Sequence, residues 1–520
     1  MLLSIEAIRP DRLPAYGGKD PLPAFAKLAA SAVVFDDAAT VVPMARPAAA
    51  TLLTGRTPDR IAMRDDLSDR LPDDVRTVAE AARAAGSRTG AFVSTPFCAM
   101  GAGFERGFEL FDAPEETSVG PLAFEPRQRA STEVADHATA WIRALPTEQR
   151  FFAWVHLGTL HGRGVGKDDA SADLDYAEGL RQVDGALASL AEALENRKVP
   201  VDLIVVGTHG THLGEQGRRG AAFWLTPETL RVPLLWRGSG LAPRRESRKA
   251  WLPDVAATVA ERAGWSLPAG DGASLFGAAA DPRERRAWSW APDDQIAWAT
   301  LAAVERDGVW VEDPARPATP RTRVLSEATR QALAAAGTPL QSPGGERRPA
   351  DDVTRTDVLV RVQRVRSHIA GQRDLMAMKQ GRRLQEEHPK NLGALLPWTF
   401  MAAVGRDPDR AKDAVQTLLR DFSDRGEALH AVAHLRWFDD RGKAETLLQA
   451  AWELGPQEPE ILYDLACARS LAGDAEGAVA RLREAVARGY RDWTHLEADL
   501  DLANARKSPA YAELMRAHGR

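Results

Sequence analysis

Three stretches of this 520-residue chain carry side chains able to do chemistry. Glu6 stands directly after the apolar run LLSI. His156 and His161 lie in FFAWVHLGTLH, and His209, His212 and Glu215 lie in VDLIVVGTHGTHLGEQG, where an apolar run enters a glycine-rich turn. A carboxylate such as Glu6 is an oxygen ligand for a hard cation like calcium. Two imidazoles with a carboxylate, as in His209, His212 and Glu215, instead suit zinc or another transition metal. A fourth stretch, VVPMARPAAATLLTGR at 41–56, reads as a turn feeding an apolar helix that Gly55 closes, and such a helix N-terminus suits an anion. It offers no nucleophile: Thr51 and Thr54 fall one to two turns inside the helix, and Thr40 precedes it.

The elements that must position these residues alternate in type. LLSI is a short strand, 22–32 a helix and VVF at 33–35 a buried strand. LPDDVRTVAEAARAAG is a helix capped at Gly86, followed by a strand over 88–94. FFAWVHLGTLH is an aromatic-rich strand, DYAEGLRQVDGALASLAEAL at 175–194 an amphipathic helix, and WLPDVAATVAERAG a further helix. Helix and strand in alternation imply an α/β sheet, whose sites form at the C-terminal strand ends. Residues 285–325 alternate apolar and polar positions, as a small antiparallel sheet does. A net charge of −6 gives no electrostatic argument for nucleic acid or an anionic membrane surface. No apolar run reaches the ~20 residues of a membrane span. The start MLLSIEAIRPD has neither a basic region nor a long apolar one, so the expected location is the cytoplasm, with export following only from a start upstream. Two cysteines, Cys98 and Cys467, fall in different parts of the chain and form no disulfide framework.

The motifs, in their order, resemble those of the sulfatases, within the alkaline-phosphatase-like superfamily. The family signature is (C/S/T)-x-P-S-R or P-S-H followed two residues later by L-L-T-G. Laid on Pro47 and Leu52-Leu53-Thr54-Gly55, it puts the nucleophile at Ala45, the serine at Ala48 and the basic residue at Ala49. The family's opening D-x-x-R-x-D-x-L corresponds to Glu6, Arg9, Asp11 and Leu13, and its second metal ligand to Ala7. Its S-D-H-G-E-x-x-G-E-H-G turn corresponds to a stretch where the metal-binding Asp is Thr208, His209 and Gly210 are kept, Glu is Thr211 and the later His is Gln216. A further His or Lys aligns with Ala221. The resemblance implies a sulfate-contacting role for His161 and covers about residues 1–325. It implies a three-layer α/β domain, formylglycine chemistry and a divalent cation, calcium or magnesium. The residues that carry that chemistry are replaced. Retained candidates are His161 and Arg9 for catalysis, Glu6 and His209 for metal, and Asp11, His156 and His212 for ligand binding.

After a linker at 326–355, rich in Pro, Gly and Arg over 338–350, the chain over 356–520 reads as helical with a period of 34. Leu429 recurs as Tyr463, Val432 as Ala466, Ala444 as Ala478, Leu448 as Leu482 and Ala451 as Ala485, with Gly473-Asp474 at a helix-helix turn. This resembles tetratricopeptide repeats, an all-α array whose groove takes a protein or peptide. The expectation is a sulfatase-like domain without its hydrolase chemistry, joined to an interaction module and needing no cofactor. Two alternatives stand beside it. One is an active ester hydrolase rebuilt around Glu6, Asp11, His161, His209 and His212; the other is a non-catalytic protein that binds an anion or sulfated glycan.

Overall fold

The computed structural model describes the chain outside residues 62, 65, 67–69, 99–101, 115–127, 164–168, 222–223, 278–283, 292–298, 307–308, 313–324, 336–360, 362–364, 366–373, 390, 405–407, 424, 437–440, 455–458, 489, 491–492 and 519–520. It forms two compact units, Met1–Ser289 with Leu301–Arg316, and Pro317–Arg520 with Trp290–Thr300.

The first unit is built on an eight-stranded sheet in the order Arg244–Glu246, Val33–Phe35, Leu234–Arg237, Leu203–Gly207, Leu2–Ile5, Phe151–Leu157, Arg88–Val93, Leu110–Asp112. Leu2–Ile5 runs parallel to both neighbours, with Ile5 opposite Leu157 on one side and Gly207 on the other. That register brings the C-terminal ends of three strands level, and Glu6, Thr208 and the residues after Leu157 leave the sheet together. Every residue of Leu2–Ile5 is buried, as expected for a strand covered on both faces. Leu3, Ile5, Val155, Leu157 and Val205 share a core with Val134, Ile142, Leu180, Leu187 and Leu190 of the helices Ser131–Ala144 and Asp169–Glu195.

Local chemistry explains where the helices begin and end. The signature helix is Ala45–Thr54, closed by Gly55 at φ 68°. Thr77 and Glu80 form a reciprocal capping box, so the helix expected from Leu71 begins only at Val78 and runs to Ala84. Helix Pro23–Ala29 is shorter than expected. It starts where Asp184, from the long helix, accepts the backbone N–H of Ala24 and Phe25 at 3.1 and 2.9 Å. Helix Leu252–Ala263 ends at Gly264 in the left-handed region. Strand Phe151–Leu157 stops short of His161, which lies in a turn where its backbone N–H reaches the Gly158 carbonyl at 2.8 Å. The expected antiparallel region holds a three-stranded sheet, Arg286–Ala291, Ala299–Arg306 and Val309–Glu312, the last two antiparallel. Residues 313–324 of that region are outside the described set.

The second unit is largely helical. Its helices include Gly426–Arg436, Arg441–Leu454, Pro459–Leu471 and Ala475–Ala487. The Asp474 side chain caps the last of these, and Gly473 sits at φ 88° in the turn before it. Leu429, Val432, Leu448, Leu462, Leu482 and Trp493 belong to one buried core. Glu327–Ala335, inside the stretch read as linker, is helical, and Thr329 donates to Glu453 at 2.6 Å; 336–355 lie outside the described residues. Among the described residues no helix is long and apolar enough to cross a membrane.

Candidate functional site

The site is built at the level strand ends. Glu6 follows the central strand, is fully buried, and donates its backbone N–H to Leu157 at 2.9 Å. Behind it runs a hydrogen-bonded chain set by sheet register, because Ser4 stands opposite His156. The Trp154 indole can only donate, and it does so to Ser4 Oγ at 2.9 Å. Ser4 Oγ also pairs with His156 Nδ1 at 2.7 Å, and His156 Nε2 donates to Glu6 Oε1 at 2.9 Å. Both ring nitrogens of His156 are therefore engaged, and the residue expected to bind ligand instead holds Glu6 in place.

The open side of Glu6 meets the other retained histidines. Its Oε2 is 3.3 Å from His161 Nδ1, and Glu6, His161 and His209 bring three ligand atoms within 4.8 Å of one another. His209 donates its Nδ1–H to the Gly210 carbonyl 2.8 Å away, while its buried Nε2 has no hydrogen-bond partner among the described residues. Burial alone would raise the Glu6 carboxyl, but His156 and His161 outweigh it and hold it well below the usual range. Burial pulls against a charged His161, yet the bond to Glu6 raises it above its ordinary value. His209 is pushed down to about 4 by burial and stays neutral. Gly210 is required here, since a Cβ would lie 2.1 Å from the Glu228 carbonyl oxygen.

The remaining expected residues are not brought to this cluster. Arg9 turns its guanidinium to Asp11 at 2.8 and 3.0 Å, to Glu215 at 2.8 Å and to the Thr211 carbonyl at 3.0 Å. Asp11 is thus the partner of Arg9. His212 Nε2 pairs with Thr226 Oγ1 at 3.1 Å, and its Nδ1 is 3.8 Å from Glu215. The zinc set His209, His212 and Glu215 expected from spacing is not assembled among the described residues; the turn sends His209 inward to Glu6 and His212 against Trp224.

The positions that should carry catalysis are filled with inert groups. Ala45 is fully buried at the first turn of its helix, as are Ala48 and Ala49. Thr51 and Thr54 donate to the carbonyls of Pro47 and Ala50 at 3.1 and 2.7 Å, and Thr40 donates to that of Val42. Cys98 is buried, and burial raises its thiol well above its usual value, which disfavours the thiolate. The helix N-terminus expected to hold an anion already holds one. Asp66 Oδ1 accepts the Arg46 backbone N–H at 2.8 Å, and burial pushes its carboxyl up to about 6. Sequence reasoning missed Asp66 and Ser4. Asp66 sits in an aperiodic charged stretch with no signal of its own, and Ser4 is marked only by strand register.

A hard divalent cation does not fit these residues. Ala7 offers no side-chain ligand, Thr208 donates its hydroxyl to the Ile5 carbonyl at 3.3 Å, and the one carboxylate has an oxygen committed to His156. The donor set that remains, one carboxylate and two imidazoles, belongs to softer metals.

The sulfatase family model matches residues 1–265. No curated protein sequence matches the chain. Among solved structures, a 2-O GAG sulfatase is 15% identical, with 58% of this chain and 80% of that one covered at a TM-score of 0.48. A putative sulfatase from Bacteroides thetaiotaomicron gives the same values. A phosphonate monoester hydrolase of Agrobacterium radiobacter is 17% identical, covering 64% and 92% at a TM-score of 0.46. With the family model spanning more than half of its residues, the chain belongs to the sulfatase family.

Proposed function

We propose that this chain is a sulfatase-family protein without ester hydrolase activity, and that it works as an interaction scaffold through its helical unit. The observation that carries this reading is the buried Ala45 at the nucleophile position, with every hydroxyl of its helix tied to the backbone. A family that splits esters by nucleophilic attack has nothing here to attack with. The Asp66 carboxylate at the helix N-terminus also speaks against an oxyanion seated there. The paired helices, with the recurring 34-residue pattern, support a tetratricopeptide-like groove for a protein or peptide.

The test is hydrolysis of aryl sulfate and aryl phosphate esters with calcium, magnesium, manganese and zinc each supplied, compared with a Glu6→Ala, His209→Ala control. The expected result is no turnover above the control. The scaffold part predicts that crosslinked partners map to Gly426–Arg436 and Pro459–Leu471. Crosslinks confined to residues 1–289 would overturn it.

A second reading rests on the orphaned His209 Nε2 facing Glu6 and His161. It makes the chain a transition-metal-dependent ester hydrolase with a site unlike that of its family. Turnover in zinc or manganese that the control lacks would establish this reading and end the first.

A further inference from the structure

The helical unit carries a second convergence of metal-ligating groups. His430 and His434 are one turn apart on Gly426–Arg436 and so lie on one helix face. Asp464, on Pro459–Leu471, occupies the position one 34-residue period after His430. The three side chains meet at a point. His430 Nε2 is 2.6 Å and His434 Nε2 3.1 Å from the same Asp464 Oδ2, and the two nitrogens are 3.1 Å from each other.

Hydrogen bonding alone satisfies this triangle poorly. If both imidazoles carry their proton on Nε2, two N–H groups crowd each other at one carboxylate oxygen. If His430 gives its proton up, its lone pair meets that oxygen at 2.6 Å. A cation at the centre satisfies all three lone pairs together. Bonds of roughly 2.0–2.2 Å to zinc place tetrahedral ligand atoms about 3.3–3.4 Å apart, so the two 3.1 Å sides of the triangle open by about 0.2–0.3 Å and the 2.6 Å side by about 0.7–0.8 Å, within reach of side-chain rotation. Two nitrogens and one oxygen favour zinc and its transition-metal neighbours over calcium or magnesium. The His434 side chain is 52% exposed against 18% for His430, so ions have access and outward coordination positions face solvent.

We propose that His430, His434 and Asp464 form a zinc-type transition-metal site that joins two successive first helices of the repeat array. It is separate from the cluster at Glu6 and does not depend on how that cluster is read.

The experiment is a zinc titration of the full chain against a chromophoric chelator, repeated with cobalt to read visible d–d absorption. It uses a His209→Ala background so that the Glu6 cluster does not contribute. One equivalent of zinc should bind. His434→Gln and Asp464→Asn should each weaken it by at least about 100-fold, beyond the 10–100-fold typical of losing a mere outer-sphere partner. His434 is solvent-facing, so its variant keeps the helix, which circular dichroism checks. In the unsubstituted chain, His434→Gln should lower the zinc stoichiometry by one. An isotherm that neither substitution changes, or a chain that binds no zinc, would overturn the assignment.

Discussion

Glu6 keeps its charge in the core because two imidazoles face it, His161 from the open side and His156, which Ser4 and Trp154 hold in place, from behind. Ser4→Ala would strip His156 Nδ1 of its hydrogen-bond partner and the Trp154 indole of its acceptor, both in fully buried surroundings. Leaving buried polar groups unpaired costs about 1–3 kcal/mol each, so the variant should lose roughly 2 kcal/mol or more of unfolding free energy in urea. A loss under about 0.5 kcal/mol would show that this chain of bonds does not hold Glu6. The adjacent residue carries strain of another kind. Ala7, at φ 54°, is the one non-glycine among the described residues in the left-handed region, and its carbonyl accepts from Tyr176 at 2.8 Å. That conformation costs a residue with a Cβ about 1–2 kcal/mol. Ala7→Gly should therefore raise the unfolding free energy measured in urea, by up to about 1 kcal/mol after the extra entropy of glycine in the unfolded chain is offset. Ala7→Val should lower it, and the opposite order would refute the strain.

Between elements, a buried electrostatic tie joins the small sheet to the rest of its unit. Arg285 reaches both oxygens of Glu305 at 2.7 Å, Asp37 Oδ1 at 2.7 Å and the Ala250 carbonyl at 2.9 Å, with the Arg285 and Glu305 side chains only 4% and 3% exposed. Burial would raise the Glu305 carboxyl, but Arg285 and then Lys249 hold it below its usual 4.5. A depressed carboxyl binds fewer protons folded than unfolded, so its stabilisation is complete above about 4.5 and is lost as pH falls below that value. Glu305→Ala should cost about 3 kcal/mol at pH 7 by leaving Arg285 without its closest partner. The difference from the parent should shrink as pH drops below about 4.5, and a gap constant down to pH 3 would contradict the ionic origin. Elements of this kind show how far the sequence could be read. The buried run LLSI, the glycine stops at Gly55 and Gly264 and the alternating α/β order each declare themselves locally, through burial pattern and allowed φ. Glu6 and His209 could be singled out because each ends an apolar run. What depends on register could not: Ser4 meets His156 only because the strands align, and His161 reaches Glu6 only because its strand stops at Leu157. Spacing alone suggested His209 with His212, and the turn that separates them is written in contacts from Thr226 and Trp224.

At the scale of the molecule, the two units close separate hydrophobic cores, one around Leu3, Leu187 and Val205, the other around Leu429, Leu448 and Leu482. Their architectures differ in how cooperativity arises. The central sheet of the first unit pairs strands far apart in sequence, Leu2–Ile5 with Phe151–Leu157 and Leu203–Gly207, so losing one strand removes support from all. Helices stacked in order depend mostly on their neighbours, and their stability is closer to a sum of local terms. A chain with two such cores is expected to unfold in two steps rather than one. Leu187 and Leu482 are each fully buried, and truncating a leucine in a packed core costs about 2–5 kcal/mol. Scanning calorimetry of the full chain should resolve two transitions, with Leu187→Ala lowering one and Leu482→Ala the other. The Leu482→Ala transition should also be the broader of the pair in the parent, because a stack of helices can fray from its end while a sheet cannot. A single transition that both substitutions move equally would mean that the two cores unfold as one cooperative body, and the scaffold reading would then have to treat the sulfatase unit as part of the binding surface rather than as a separate partner to it.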